Sequence, residues 1–136
     1  MRTIILLLIC FLSFPALKSQ IPDLTGTWTM FEMTYVSDQG TQKMTEEQMK
    51  AEGAVTEMFF MEAGKFRQTS NMSGSGTLDT YEGTWKLDGN QVVLTLKIGD
   101  RMMDVVWKAE FRDNALNLSR TSPDGSLTII NTFRKK

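Results

Sequence analysis

Histidine is absent from the 136-residue chain, and cysteine occurs once, at Cys10. The chain therefore holds neither a Ser-His-Asp site nor a Cys-His nucleophilic site, and it lacks the usual ligands of zinc. Catalysis would have to rest on Asp, Glu, Tyr or Lys alone. We predict that the protein is not an enzyme and that it uses no metal and no cofactor.

Long apolar runs are also scarce. The one such run covers residues 4–12, follows a basic residue and precedes a proline and several small residues. This layout is typical of a secretory signal peptide, and the run is too short to span a bilayer as a helix. We predict cleavage after Ser19, with Ala16 as the alternative. The chain then divides into a signal peptide, 1–19, and a single domain, 20–136, exported to the periplasm or the extracellular space.

The exported domain would contain no cysteine, because Cys10 lies within the signal, and hence no disulfide. A lipid anchor at Cys10 is disfavoured because the residue before it is Ile9 rather than a small residue. Cleavage of the signal would remove Arg2 and Lys18, which leaves 13 basic and 16 acidic residues and a net charge of −3. This mild acidity argues against nucleic acid and anionic membranes as partners. We expect a monomer.

The first predicted strand covers residues 25–36. Trp28 and Met30 share one face, but the apolar residues that follow start one position early, at Phe31. A β-bulge or a sharp bend would explain this slip in phase. After this change of phase, Phe31, Met33 and Tyr35 are expected to face inward.

A polar loop is predicted over residues 37–43, followed by a short helix. Thr45 and Gln48 form a capping box at its start, and Gly53 ends it. A helix of about two turns is stable only when it packs against other elements. We predict that the segment 37–54 is a lid at the end of the barrel opposite Trp28.

From Val55 onward, seven strands alternate with tight turns rich in Gly, Asp and Asn. Each strand has one apolar face and one charged face. Eight strands joined to their sequence neighbours, with one dry face, favour an all-β, eight-stranded antiparallel up-and-down barrel that leaves no open edge.

The start of the first strand and the end of the last lie at the same end of such a barrel. We therefore expect the guanidinium of Arg134 to lie over the indole of Trp28. The chain resembles the lipocalins in three features. These are Gly26-Thr27-Trp28 at the start of the first strand, the pattern of eight strands, and Arg134 in the last strand. It is closer to the short lipocalin-like domain proteins that bacteria export. The Thr-Asp motif, the final helix and the disulfide of larger lipocalins have no counterpart.

Methionine is abundant, with nine residues in the predicted domain. Met30 and Met33, like Met58 and Met61, have the spacing of soft-metal motifs, but positions i and i+3 of a strand face opposite sides. Two interpretations stay open. The flexible thioethers either fill an irregular interior or line an adaptable pocket.

We predict that the interior binds a small hydrophobic or amphipathic molecule. The alternative is a filled barrel that binds a protein or a glycan through its outer face and mouth loops. Polar residues on the inward phase supply two anchors, Arg120 and Asn131. The predicted apolar lining consists of Phe31, Met33, Tyr35, Phe66, Tyr81, Leu94, Leu96, Met103, Val105, Trp107 and Ile129.

Overall fold

The computed structural model describes residues 23–71 and 76–136, so the predicted signal 1–19 and the first three residues of the turn predicted at 73–76 lie outside the described residues. The elements, in chain order, are β1 (Gly26–Ser37), β2 (Gly40–Met44), α1 (Glu46–Ala51), β3 (Thr56–Phe60), β4 (Lys65–Ser70), β5 (Asp79–Asp88), β6 (Gln91–Ile98), β7 (Arg101–Arg112), β8 (Ala115–Thr121) and β9 (Leu127–Lys135). A 3₁₀ turn, Glu62–Gly64, separates β3 from β4.

Strand β1 organises the sheet. Along one edge, its residues 26–29 pair with β3 and its residues 33–37 pair with β2. Along the other edge, β1 pairs with β9. All other neighbours in the sheet are consecutive, so β1 and β3–β9 form a closed antiparallel barrel of eight strands. The predicted fold class is confirmed.

Strand β2 is an addition to this prediction. Residues 40–43, expected to belong to a polar loop, form a hairpin with the far half of β1. The physical reason is the length of β1, whose far half extends beyond β3 and gains backbone hydrogen bonds from the returning chain. The helix therefore lies between the second and third strands.

The predicted bulge is present in β1. Met30 pairs with Phe133 and Glu32 pairs with Thr132, so Phe31 is the extra residue. Phe31 lies on the outer side of the barrel, where the guanidinium of Arg134 stands 4.2 Å from its ring centre. The prediction that Phe31 faces inward is therefore wrong, because an inserted residue restores the inward phase only from Met33 onward.

The barrel is tightly packed at the end where β1 begins. Trp28 is 2% exposed and Phe133 is fully buried. The indole Nε1 of Trp28 donates a hydrogen bond to the carbonyl oxygen of Leu24 at 2.8 Å, which ties the chain before β1 to the same end. Large buried side chains of other strands form the rest of the core: Phe60, Phe66, Val92, Leu94, Leu116 and Leu118.

The cation over Trp28 is Lys135, whose Nζ lies 5.8 Å from the ring centre. The register explains this, because Trp28 pairs with Lys135 and both face inward, whereas Arg134 pairs with Thr29 and faces outward. The expected contact between Arg134 and Trp28 is wrong, although both residues lie at the same end of the barrel.

Gly83 allows a close approach of β5 and β6. A Cβ atom at this position would lie 1.8 Å from the carbonyl oxygen of Thr95. Gly83 faces the interior beside Phe66, so the missing side chain lets the barrel bend sharply between these strands.

Helix α1 starts with the predicted capping box. The hydroxyl of Thr45 accepts from the Gln48 backbone N–H, and the Gln48 side chain accepts from the Thr45 backbone N–H. Met49 packs into the core at 3% exposure. Because β2 brings the chain back along β1, α1 lies at the level of Arg134. The expectation that the helix lies at the end opposite Trp28 is wrong.

Candidate functional site

Side chains that face the interior become exposed at the end of the barrel opposite Trp28, which we call the mouth. Tyr35 is 37% exposed and Met103 is 48% exposed. Trp107 and Ile129, also on the inner face, are half-buried. The barrel is thus filled at one end and open at the other.

Four adjacent strands bring the main elements of the mouth together. Ile129 of β9 pairs with Tyr35 of β1 on one side and with Arg120 of β8 on the other. The guanidinium carbon of Arg120 lies 5.3 Å from the ring centre of Trp107. A cavity of about 280 Å³ lies against this group, lined by Trp107, Arg120, Thr121, Ser122, Pro123, Leu127 and Ile129.

The loop at the rim of this cavity is held by Asp124. Its carboxylate accepts hydrogen bonds from the hydroxyls of Ser122, at 2.6 Å, and Ser126, at 2.7 Å, and from the Ser126 backbone N–H. These hydrogen bonds lower the pKa of Asp124 to about 2. The β8–β9 loop is therefore ordered by its own side chains.

Asn131 lies one layer deeper than Ile129 on the inner face of β9. It pairs with Leu118 and Met33, which are 0% and 8% exposed. The Asn131 Oδ1 atom is buried and has no hydrogen-bond partner among the described residues. An unpaired amide oxygen thus lies beneath the mouth, in an apolar layer.

Apart from Phe31, the structure divides the predicted ligand-binding residues into three groups. Tyr35, Trp107, Arg120, Ile129 and Asn131 come together at the mouth. Four others, Met33, Phe66, Leu94 and Leu96, are buried at 1–8% exposure, so protein atoms cover them and they line no open cavity. Tyr81, Val105 and Met103 face inward on β5 and β7, away from the walls of the 280 Å³ cavity.

A second cavity, of about 300 Å³, lies outside the barrel between α1 and the strands β1 and β9. We call it the helix groove. Of the predicted site residues, only Phe31 of the ligand set and Arg134 of the structural motif line it. Two features of the sequence could have revealed this groove. The bulge turns the ring of Phe31 to the outer side, and the capping box indicates a helix close to it in the chain. Its apolar side chains include Phe31, Met49, Ala54 and Val55.

Most charged groups of the helix groove are paired. Glu46 contacts Lys50 at 3.2 Å and Arg134 at 3.4 Å. The hydrogen bond from Lys50, and next the charge of Arg134, lower the pKa of Glu46. Lys136 contacts Glu57 at 3.4 Å. The contact between Glu46 and Arg134 fastens α1 to the barrel, and three of the four cations of the groove are held in ion pairs.

A closed meander barrel with one filled end and one open, partly apolar end belongs to the class of small barrels that can hold a single small molecule. Within residues 23–71 and 76–136, no helix is long and apolar enough to cross a membrane.

Comparison with known proteins identifies the family. The model of the lipocalin-like domain matches residues 24–118, so the chain belongs to the lipocalin-like domain family. A lipocalin-like protein from Bacteroides uniformis is 20% identical and superimposes with a TM-score of 0.53 over 85% of this chain and 100% of its own. A protein from Bacteroides eggerthii is 19% identical, with a TM-score of 0.53 over 84% and 100%. At such identities the likeness shows the fold alone. No protein of curated function matches the sequence.

Proposed function

We propose that the protein is an exported, monomeric binding barrel that holds one small amphipathic molecule at its mouth and catalyses no reaction. Export is supported by the signal-like segment 1–19. Binding is supported by one observation above all, the mostly apolar cavity of about 280 Å³ that the inner face leaves open above a packed core. Its size is near the lower end of the range for small-molecule sites.

The mouth offers two kinds of contact. Trp107 and Ile129 present partly exposed apolar surface, whose removal from water would supply most of the binding free energy, at about 25 cal/mol per Å². Arg120 supplies a positive charge beside the ring of Trp107 and forms no ion pair with a described residue. A ligand with an apolar body and an anionic group, such as a carboxylate, fits both contacts.

Titration followed by tryptophan fluorescence tests the proposal. Decanoate, decanol and an apolar dye should each change the emission, because Trp107 lines the cavity. Trp107→Phe should remove most of this change while leaving Trp28 and Trp85 in place. If none of these probes binds below about 100 μM, equivalent to roughly 5.5 kcal/mol, the proposal fails.

A matched pair of arginine variants tests the role of charge. Arg120→Ala should weaken the binding of decanoate more than that of decanol. Arg67→Ala is the control, since Arg67 also lies over an aromatic ring, Phe59, but on the outer face of the barrel. An equal loss for decanoate in both variants would show that the carboxylate is not held at the mouth.

One observation favours a second function, binding of a protein or a glycan on the outer face. A polar groove of about 270 Å³ runs across β1, β7, β8 and β9. Alternating charges and side-chain amides of this kind suit hydroxyl-rich ligands. This function becomes the better account if the apolar probes fail. The groove is lined by Glu32, Thr34, Lys108, Glu110, Arg112, Asn117, Ser119, Ile130 and Thr132.

A further inference from the structure

Asn131 places an amide in a layer that is otherwise apolar. Its neighbours across the sheet, Leu118 and Met33, are buried, and so is Ala109, which pairs with Leu118. A buried polar atom without a partner destabilises a protein by more than the hydrogen bond it would make contributes. Packing alone would favour an aliphatic side chain here, so the amide calls for another explanation.

On the inner face of β9, the neighbour of Asn131 on the mouth side is more open than the neighbour on the packed side. Phe133, one layer below on the same strand face, is fully buried, whereas Ile129, one layer above, is half-buried. Asn131 itself is partly exposed, and the more open layer beside it is the one on the mouth side. Rotation about the last side-chain bond presents Oδ1 to a molecule in the mouth.

The spacing along β9 sets the length of that molecule. Ile129 and Asn131 are two residues apart, about 7 Å along a strand. Arg120 lies at the level of Ile129, as its cross-strand partner. A ligand whose anionic group contacts Arg120 can therefore place an atom about 7 Å away against Asn131. Trp107 flanks the space between them and favours a flat, aromatic body.

The geometry points to Asn131 as a specificity-determining residue. It selects ligands that carry a hydrogen-bond donor at the end that lies deepest in the barrel. The ligand class is a compact hydroxyaryl carboxylic acid, with its hydroxyl on Oδ1 and its carboxylate at Arg120. This inference rests on the proposed function, because it assumes that the mouth binds an amphipathic molecule.

Two probes that differ by one hydroxyl test the inference by calorimetry. We expect 3-(4-hydroxyphenyl)propanoate to bind the wild-type protein about three- to tenfold more tightly than 3-phenylpropanoate, as one net hydrogen bond predicts. In Asn131→Leu this preference should vanish, while 3-phenylpropanoate should bind as well as before or better.

Asn117→Leu is the matched control. Asn117 lies on the outer face of β8, where its Oδ1 accepts a hydrogen bond from Thr132 at 2.8 Å. This variant should keep the preference for the hydroxylated probe. Thermal unfolding separates the two sites further, because Asn131→Leu should raise the melting temperature and Asn117→Leu should lower it.

The outcomes distinguish this inference from the proposed function. Equal affinity of the wild-type protein for the two probes, with decanoate still bound through Arg120, would overturn the selection by Asn131 and leave the proposed function standing. A lower melting temperature for Asn131→Leu together with equal probe affinities would show that a trapped water satisfies Oδ1, which also overturns it. Failure of these probes and of every apolar probe would overturn the proposed function itself.

Discussion

The guanidinium of Arg134 lies 4.2 Å from the ring centre of Phe31, on the outer surface of the barrel. The bulge in β1 expels the ring, and the register of β9 turns Arg134 to the same side. Arg134 also contacts Glu46 at the first turn of α1. The aromatic ring, the arginine and the glutamate together fasten the helix beside the barrel.

This attachment predicts the exchange behaviour of α1. A six-residue helix held by Met49 and by exposed ion pairs should open more readily than β6, so its amides should exchange faster than those of residues 92–98. Glu46→Gln should accelerate exchange in α1, whereas Glu47→Gln, which removes no ion pair among the described residues, should not. Because α1 lies at the level of Arg134 and away from the mouth, a ligand bound at the mouth should not slow exchange in α1. Protection in α1 equal to that of β6 without ligand would make it a fixed part of the wall.

Trp28 should dominate the stability of the packed end. Trp28→Ala is expected to lower the free energy of unfolding by about 3–5 kcal/mol, because it removes a large buried ring and leaves a cavity. Denaturant titration measures this. Trp107→Ala, at the half-buried mouth, should lower it clearly less. A loss below about 1 kcal/mol for Trp28→Ala would exclude the residue from the core.

Gly83 should not tolerate a side chain. Gly83→Ala places a methyl group against the Thr95 carbonyl oxygen, so β5 and β6 must separate. We expect a loss of about 1–3 kcal/mol or more in the free energy of unfolding, the range for overpacked interiors. The neighbouring Thr84→Ala, on the exposed face, should change it little. Equal stability of the two variants would contradict the close approach of these strands.

The Asp124 turn should add a pH dependence to stability. The pKa of Asp124 in the folded protein is about 2, below its ordinary value of 3.8. The turn therefore stabilises the fold fully above pH 3.8, and this contribution disappears as the pH falls through about 2. Asp124→Asn should be less stable than wild type at pH 6, and the difference should shrink toward pH 2 in denaturant titrations.

Asp100→Asn is the control for this measurement, because it removes the same charge from another turn at the mouth end. Its difference from wild type should not follow the same pH course. A constant difference between Asp124→Asn and wild type from pH 6 to pH 2 would show that the carboxylate is not held by the two serines.

Local sequence patterns predicted the barrel, the bulge and the capped helix because each depends on neighbours in the chain. Alternation of apolar residues follows directly from the two faces of a strand. The capping box of Thr45 and Gln48 is complete within four residues. The packed end around Trp28 was also predictable, since most of the inward residues there are large and apolar.

Only the tertiary structure decided the features that depend on register between distant strands. Whether Arg134 or Lys135 lies over Trp28 depends on a pairing that a shift of one residue would reverse. The same holds for Phe31, whose side is set by where the bulge occurs relative to Phe133 and Thr132. The alternation of residues in β9 alone predicted that Asn131 faces inward. It could not predict that Oδ1 is unpaired, because the partners available to a buried atom come from strands remote in sequence.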